Sequence, residues 1–284
     1  MITFNNFNLT NYNAYRLNAT CATAYFPECE EDLLKLFHKS GRSKIILGHG
    51  NNIILSKEQY SEDFIILNGC FDRMIVDGTQ ITADAGATML QLSETALNRS
   101  LSGFEIFYDI PSSVGGAVVM NAGAGGEEIK DLIVKVRYLD LVDMEIKEIA
   151  HDEIEFEYRN SYFQKYPDKI VLKAWFKLKQ GNFAEIKAKM EDTKQKRWAK
   201  QPREYPNCGS VFKRPAGRYV GPMLDKLGLK GLTVGGAKIS EKNSVFIVNL
   251  GSATGADILA VISEIQKEVI EKYGIRLELE QKII

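Results

Sequence analysis

The 284-residue sequence predicts an α+β protein built in more than one part. Three observations carry this. Short β-branched runs frame a tight glycine turn at Lys44–Ser56 (KIILGHGNNIILS). Helical spacing is found in a few stretches, and short strand-like runs fill much of the rest. A small-residue segment, Ile110–Gly126 (IPSSVGGAVVMNAGAGG), interrupts the middle of the chain.

Taken in order, residues 1–75 alternate short strands with one helix. That helix is expected over Glu30–Ser40, where Leu33, Leu36 and Phe37 share a face and three acids occupy the first turn. Gln80–Ala85 alternates like a strand and ends at Gly86, and a helix is expected over Ala87–Asn98 with Leu90, Ala96 and Leu97 inward. Leu132–Leu141 and Ile170–Leu178 read as strands rich in Val, Tyr, Phe and Trp. Ala184–Lys200 is a charged helix that stops at Pro202, and it marks the start of a last substructure. A helix over Ala256–Tyr273 carries one apolar stripe, Ile258, Val261, Ile262, Ile265 and Val269, with Gly274 placed as a C-cap. Ile275–Ile284 alternates as a final strand that returns to the first part.

The two glycine stretches bear on ligand binding. Glycine lets backbone approach a flat or anionic group, and N–H groups in such turns form concavities for phosphate oxygens. A tightly packed turn between strands is the alternative reading of Ile110–Gly126. The Lys44–Ser56 turn is neither a Rossmann fingerprint nor a P-loop, because it lacks a third glycine, a following helix and a Gly-Lys-Ser/Thr ending. A dinucleotide held there is therefore expected on β-turns rather than on a helix N-terminus.

Charge is nearly balanced, with 36 basic and 37 acidic residues, which argues against a nucleic-acid or membrane-surface protein. No apolar run approaches the ~20 residues of a membrane span, and MITFNNFNLTNYNAY has no secretory signal pattern. Cys21, Cys29, Cys70 and Cys208 form no C-x-x-C pair, so they read as reduced thiols of a cytoplasmic protein. His38, His49 and His151 are scattered, and no metal site is expected.

Several polar residues could carry chemistry. Arg159 in FEYRNSYF is a fixed cation beside the phenol of Tyr158, and a surface arginine in a turn is the plain alternative. Ser210 follows Gly209 in a turn, with no G-x-S-x-G elbow and no histidine placed as its base, so a hydrolase is a weak reading. Lys213 and Arg214 are either surface charge or contacts for a diphosphate. Glu278 and Glu280 in LELEQKII, two apart on a strand, are expected to face the same side.

Six stretches in order, Leu47–Asn52, Gly103–Gly126, Tyr158–Phe163, Gly209–Pro215, Gly228–Asn249 and Leu277–Ile284, resemble the UDP-N-acetylenolpyruvoylglucosamine reductase family in its compact second type. The resemblance implies an FAD-binding fold of the vanillyl-alcohol-oxidase (PCMH) type. Its two FAD-binding subdomains would be 1–75, completed by 275–284, and 76–200, with a substrate domain at 201–274. It implies non-covalent FAD, NADPH as co-substrate and the enolpyruvyl ether of a UDP-sugar as substrate, with a monomer as the expected state. The flavin would rest on Leu47, Gly48, His49, Gly50, Asn51 and Asn52, and on Ile110, Pro111, Ser112, Ser113, Gly115, Gly116, Ala117, Asn121, Gly123 and Ala124. Arg159 would meet the substrate carboxylate, Ser210 would protonate the substrate carbon, and Glu280 would stabilise the enolate. Tyr158, Lys213 and Arg214 would add substrate contacts.

The chain departs from the family pattern at Ser112 (commonly Gly), Arg214 (often Asn), Asn243 (commonly His) and Gln281 (usually Val). Two other functions stay open at this point. One is an FAD oxidase of the same fold acting on a sugar or alcohol. The other is a nucleotide-sugar binding module without chemistry.

Overall fold

The computed structural model describes residues 1–39 and 41–284. The chain divides into two compact units. Unit 1 comprises Met1–Phe4, Ala24–His49 and Asp63–Lys196, and unit 2 comprises Asn5–Thr23, Gly50–Glu62 and Arg197–Ile284.

In unit 1, helix α1 covers Glu30–His38 and buries Leu33 and Leu36. Ser40, the last residue of the expected helix, lies outside the described residues. Lys44–Leu47 pairs in parallel with Asp63–Ile66. The main sheet is five-stranded and antiparallel, in the order Glu145–Ala150, Ile133–Asp140, Lys169–Lys177, Gln80–Asp84 and Met74–Asp77. Along its central strand Leu172, Ala174 and Phe176 are buried while Lys173 and Trp175 are not, so one face meets the core. Phe104 sits edge-on to Phe107 and to Phe176, with centroids 5.9 and 5.2 Å apart, at the heart of that core.

Helix α2 covers Met89–Asn98 and opens with a capping box, Thr88 Oγ1 accepting from the Gln91 N–H and Gln91 Oε1 from the Thr88 N–H. Met89, Leu92, Ser93 and Ala96 are buried. The expectation for Leu90 is therefore wrong, since it is exposed. With the cap at Thr88, the inward series is 89, 92, 93 and 96, and Leu90 falls off that face. Helix α3, Val114–Val119, is a second departure. It forms inside the stretch read as turn, with Ser113 as its N-cap. Helix α4 is a single turn at Tyr162–Lys165, and the charged helix α5 runs from Phe183 to Lys200.

Unit 2 holds a four-stranded antiparallel sheet in the order Asn207–Ser210, Phe246–Asn249, Ala237–Ile239 and Thr233–Val234. Helix α6 is Val220–Lys226. Helix α7 covers Gly255–Tyr273 and buries Ile258, Val261, Ile262, Ile265 and Val269, the expected stripe, between a Thr254 capping box and Gly274 at φ +66°. Of the expected last strand, Lys282–Ile283 forms a ladder, parallel to Ile53–Ile54.

Candidate active site

In unit 1 the two glycine stretches come together. A Cβ on Gly48 would lie 2.4 Å from Ser113 Oγ, so any other residue here would force the Ser113 side chain to move. Ser113 is buried, and its Oγ accepts from the Gly116 N–H at 3.2 Å to cap α3. Gly115 in turn donates its N–H to the Ala85 carbonyl at 2.8 Å. Much of the close approach that glycine allows is thus used within the chain.

His49 follows Gly48. Burial lowers its pKa, so the ring is neutral near pH 7. Its Nε2 is buried and has no hydrogen-bond partner among the described residues. A buried polar atom left in that state costs about 1–3 kcal/mol. The position therefore fits a polar group brought by a ligand, and FAD carries such groups along its ribityl chain and pyrophosphate.

Arg159 lies in the left-handed region at φ +53°, which a non-glycine residue rarely adopts. Its Nη2 donates to the Gly123 carbonyl at 2.8 Å and its Nη1 to the Asn121 carbonyl at 3.3 Å, with the guanidinium 5.2 Å from the Tyr158 ring centroid. Asn121, also left-handed and wholly buried, donates through Nδ2 to Glu128 Oε2 and to the Glu157 carbonyl. Ser161, equally buried, donates to the Val119 carbonyl at 2.8 Å. The Tyr158–Ser161 motif is therefore locked onto the end of the glycine-rich segment. Strained conformations of this kind persist where neighbours over-determine them.

In unit 2, hydrogen bonds join the second half of the first turn to the segments bearing Ser210 and Glu280. Asn52 Nδ2 donates to the Glu280 carbonyl at 3.0 Å, and the Glu280 N–H donates to the Val211 carbonyl at 2.9 Å. The Cys208 thiol, buried, lies 3.4 Å from the Ile53 carbonyl and 3.7 Å from that of Gly50. Burial pushes its pKa up to about 12. Ser210 and Glu280 are half-buried.

Glu278 does not share the environment of Glu280. It is exposed, and it pairs with Lys213 Nζ at 2.6 Å. The reason is that residues 275–281 form no continuous strand, so the two-residue alternation does not apply. The buried polar residue of the C-terminal run is Gln281. Arg214 is exposed, with its guanidinium 4.7 Å from the Tyr219 ring centroid. Gln281, Tyr15 and Asn249 form a buried polar group that motif spacing does not point to. The available signal was a glutamine where the pattern calls for an apolar residue.

Comparison with known proteins gives the family. The profile described as "UDP-N-acetylenolpyruvoylglucosamine reductase, C-terminal domain" matches residues 201–284, and one described as "FAD binding domain" matches residues 25–149. The UDP-N-acetylenolpyruvoylglucosamine reductase of Caldanaerobacter subterraneus is 42% identical over 276 residues, covering 96% of this chain and 90% of the relative. That of Francisella tularensis is 40% identical over 278 residues, covering 97% and 98%. The chain belongs to the UDP-N-acetylenolpyruvoylglucosamine reductase family. The crystal structure of the family member from Thermus caldophilus superposes with a TM-score of 0.85 at 31% identity, over 99% of this chain and 98% of that one. The fold is accordingly that of the family, with the FAD-binding part in the first half of the sequence. Among the described residues no helix is long and apolar enough to cross a membrane, and no group of His, Cys, Asp and Glu could hold a metal ion.

Proposed function

We propose that this chain catalyses the NADPH-dependent reduction of UDP-N-acetylglucosamine enolpyruvate to UDP-N-acetylmuramate, with FAD bound non-covalently, in the cytoplasm as a step of peptidoglycan precursor synthesis. One observation carries the reading. A relative bearing this enzyme's name aligns along 97% of the chain and 98% of its own length. We assign residues 1–75 with 275–284, and residues 76–200, to the flavin, and residues 201–274 to the sugar nucleotide.

FAD held there would supply hydride chemistry, taking hydride from NADPH for the terminal vinyl carbon of the substrate. The chain's residues deal with the negative charge that this transfer creates and supply the proton that it then requires. Addition of hydride puts negative charge on the adjacent carbon, spread into the carboxylate. Arg159 holds that carboxylate, since a planar guanidinium stays charged and can bind both oxygens. Glu280, carrying or sharing a proton, stabilises the same charge, and one preorganised donor of this kind is worth about 3–4 kcal/mol. Ser210 gives its proton to the carbon, which completes the addition of two hydrogens across the double bond. Tyr158, Lys213 and Arg214 hold the nucleotide. The residues for the flavin are the turn Leu47–Asn52 and the positions Ile110, Pro111, Ser112, Ser113, Gly115, Gly116, Ala117, Asn121, Gly123 and Ala124. The unpartnered His49 Nε2 supports that assignment.

The test is a visible spectrum of the purified protein before and after denaturation. A flavin spectrum with release of FAD into the supernatant is expected. A colourless protein that takes up no added FAD would contradict the reading.

A further inference from the structure

The departure at Gln281 lies against a β-bulge that carries Ser210. In the sheet of unit 2, Asn207 stands opposite Val248 and Ser210 opposite Phe246. Three steps on one strand match two on the other, so one extra residue is accommodated between them. Gly209 takes it up at φ +76°. Bulges of this kind re-aim the side chain that follows. Here that side chain is Ser210.

Gln281 fills the inner side of this bulge. Its Nε2 lies 3.1 Å from the Cys208 carbonyl and 3.4 Å from those of Gly209 and Ser210. Its Oε1 accepts from the Tyr15 hydroxyl at 3.0 Å. Tyr15 is fully buried, and its carbonyl accepts from Asn249 Nδ2 at 2.7 Å. Asn249 Oδ1 accepts in turn from the N–H groups of Gly251 and Ala253. The chain of bonds therefore starts on the Phe246–Asn249 strand, passes through Tyr15 and Gln281, and ends on the bulge opposite that same strand. The amide cannot flip, because a flip would set Oε1 against three carbonyl oxygens. A buried polar network satisfied in this way fixes one geometry, whereas an apolar residue at 281 would remove the donor that the three carbonyls share.

We propose that Gln281 is a positioning residue, which holds the bulge so that the Ser210 hydroxyl is aimed at the substrate carbon. The proposal rests on the reading of Ser210 as proton donor. It assigns to Gln281 no contact with substrate or flavin.

The test uses holoenzyme carrying Gln281→Met or Gln281→Glu. In anaerobic stopped flow, NADPH should reduce the flavin at the wild-type rate in both variants. Reoxidation by the enolpyruvyl sugar should slow about tenfold in Gln281→Met, the loss expected for about one hydrogen bond, with the KM for the sugar unchanged. In Gln281→Glu the side chain can donate while its carboxyl is protonated. Its reoxidation rate should approach wild type at low pH and fall to or below that of Gln281→Met as pH rises, because an ionised carboxylate would face the three carbonyls. Hydrogen–deuterium exchange should be faster over residues 207–211 in Gln281→Met, whatever its turnover. Wild-type reoxidation in Gln281→Met, an equal loss in both half-reactions, or unchanged exchange over 207–211 would each overturn the proposal. If wild-type enzyme is itself not reoxidised by the sugar, the reading of Ser210 fails, and exchange alone then decides whether Gln281 holds the bulge.

Discussion

Asn52 Nδ2 donates to the Glu280 carbonyl at 3.0 Å, and the Asn52 carbonyl accepts from the Lys282 N–H at 2.9 Å. One side chain and its own backbone thus tie the glycine turn to the C-terminal segment on both sides of Gln281. Replacing Asn52 by Ala should lower the free energy of unfolding by about 1–2 kcal/mol, read by urea titration. Asn52→Asp should cost more, because an ionised carboxylate would face a carbonyl it cannot donate to.

Ser210→Ala separates the two halves of the proposed reaction. NADPH should still reduce the flavin at the wild-type rate, because the hydroxyl is assigned to the later proton transfer. Turnover of the enolpyruvyl sugar should fall on the order of 10²-fold or more, the usual contribution of a positioned acid. Normal turnover would remove Ser210 from the mechanism.

Gly48→Ala probes the meeting of the two glycine stretches. The added methyl would stand 2.4 Å from Ser113 Oγ, which is buried and caps α3. Loss of that cap costs about 0.5–2 kcal/mol. The variant should unfold at lower temperature and retain less FAD per mole of protein, measured by calorimetry and by absorbance after gel filtration.

Much of this anatomy follows from local pattern, and some of it does not. Helix α7 was legible because a 3.6-residue stripe, a threonine cap and a terminal glycine all agree. Helix α3 was not, because Gly115 and Gly116 are poor helix formers and a serine before valine reads equally well as a turn. What stabilises α3 is tertiary, namely its packing on the Lys169–Lys177 strand and the bonds that its Val114 and Gly115 N–H groups donate to the Ala87 and Ala85 carbonyls. The proposed roles of Arg159, Ser210 and Glu280 came from motif resemblance. The carbonyls that hold the Arg159 guanidinium, and the Tyr15–Gln281 bond spanning 266 positions, leave no short-range trace in a sequence.

Asp140 gives the fold an acid-sensitive point remote in sequence from the proposed catalytic residues. Lys169 at 2.8 Å and Lys147 at 3.0 Å hold its carboxyl well below the usual range, and both lysines are themselves raised. With the folded-state pKa depressed, the stabilisation is complete above the unfolded value of about 3.9 and is lost as pH falls below it. Unfolding midpoints should therefore drop on acidification below about pH 4. Asp140→Asn should lower stability at neutral pH and flatten that part of the profile.

In the proposed reaction this chain joins hydride from NADPH to an enolpyruvyl double bond through FAD. Anaerobic single turnover tests it most directly. The holoenzyme is first bleached with one equivalent of NADPH and then mixed with UDP-N-acetylglucosamine enolpyruvate. Return of the oxidised flavin spectrum with one equivalent of UDP-N-acetylmuramate is the predicted result. Flavin that stays reduced until oxygen is admitted, with the sugar recovered unchanged, would contradict it.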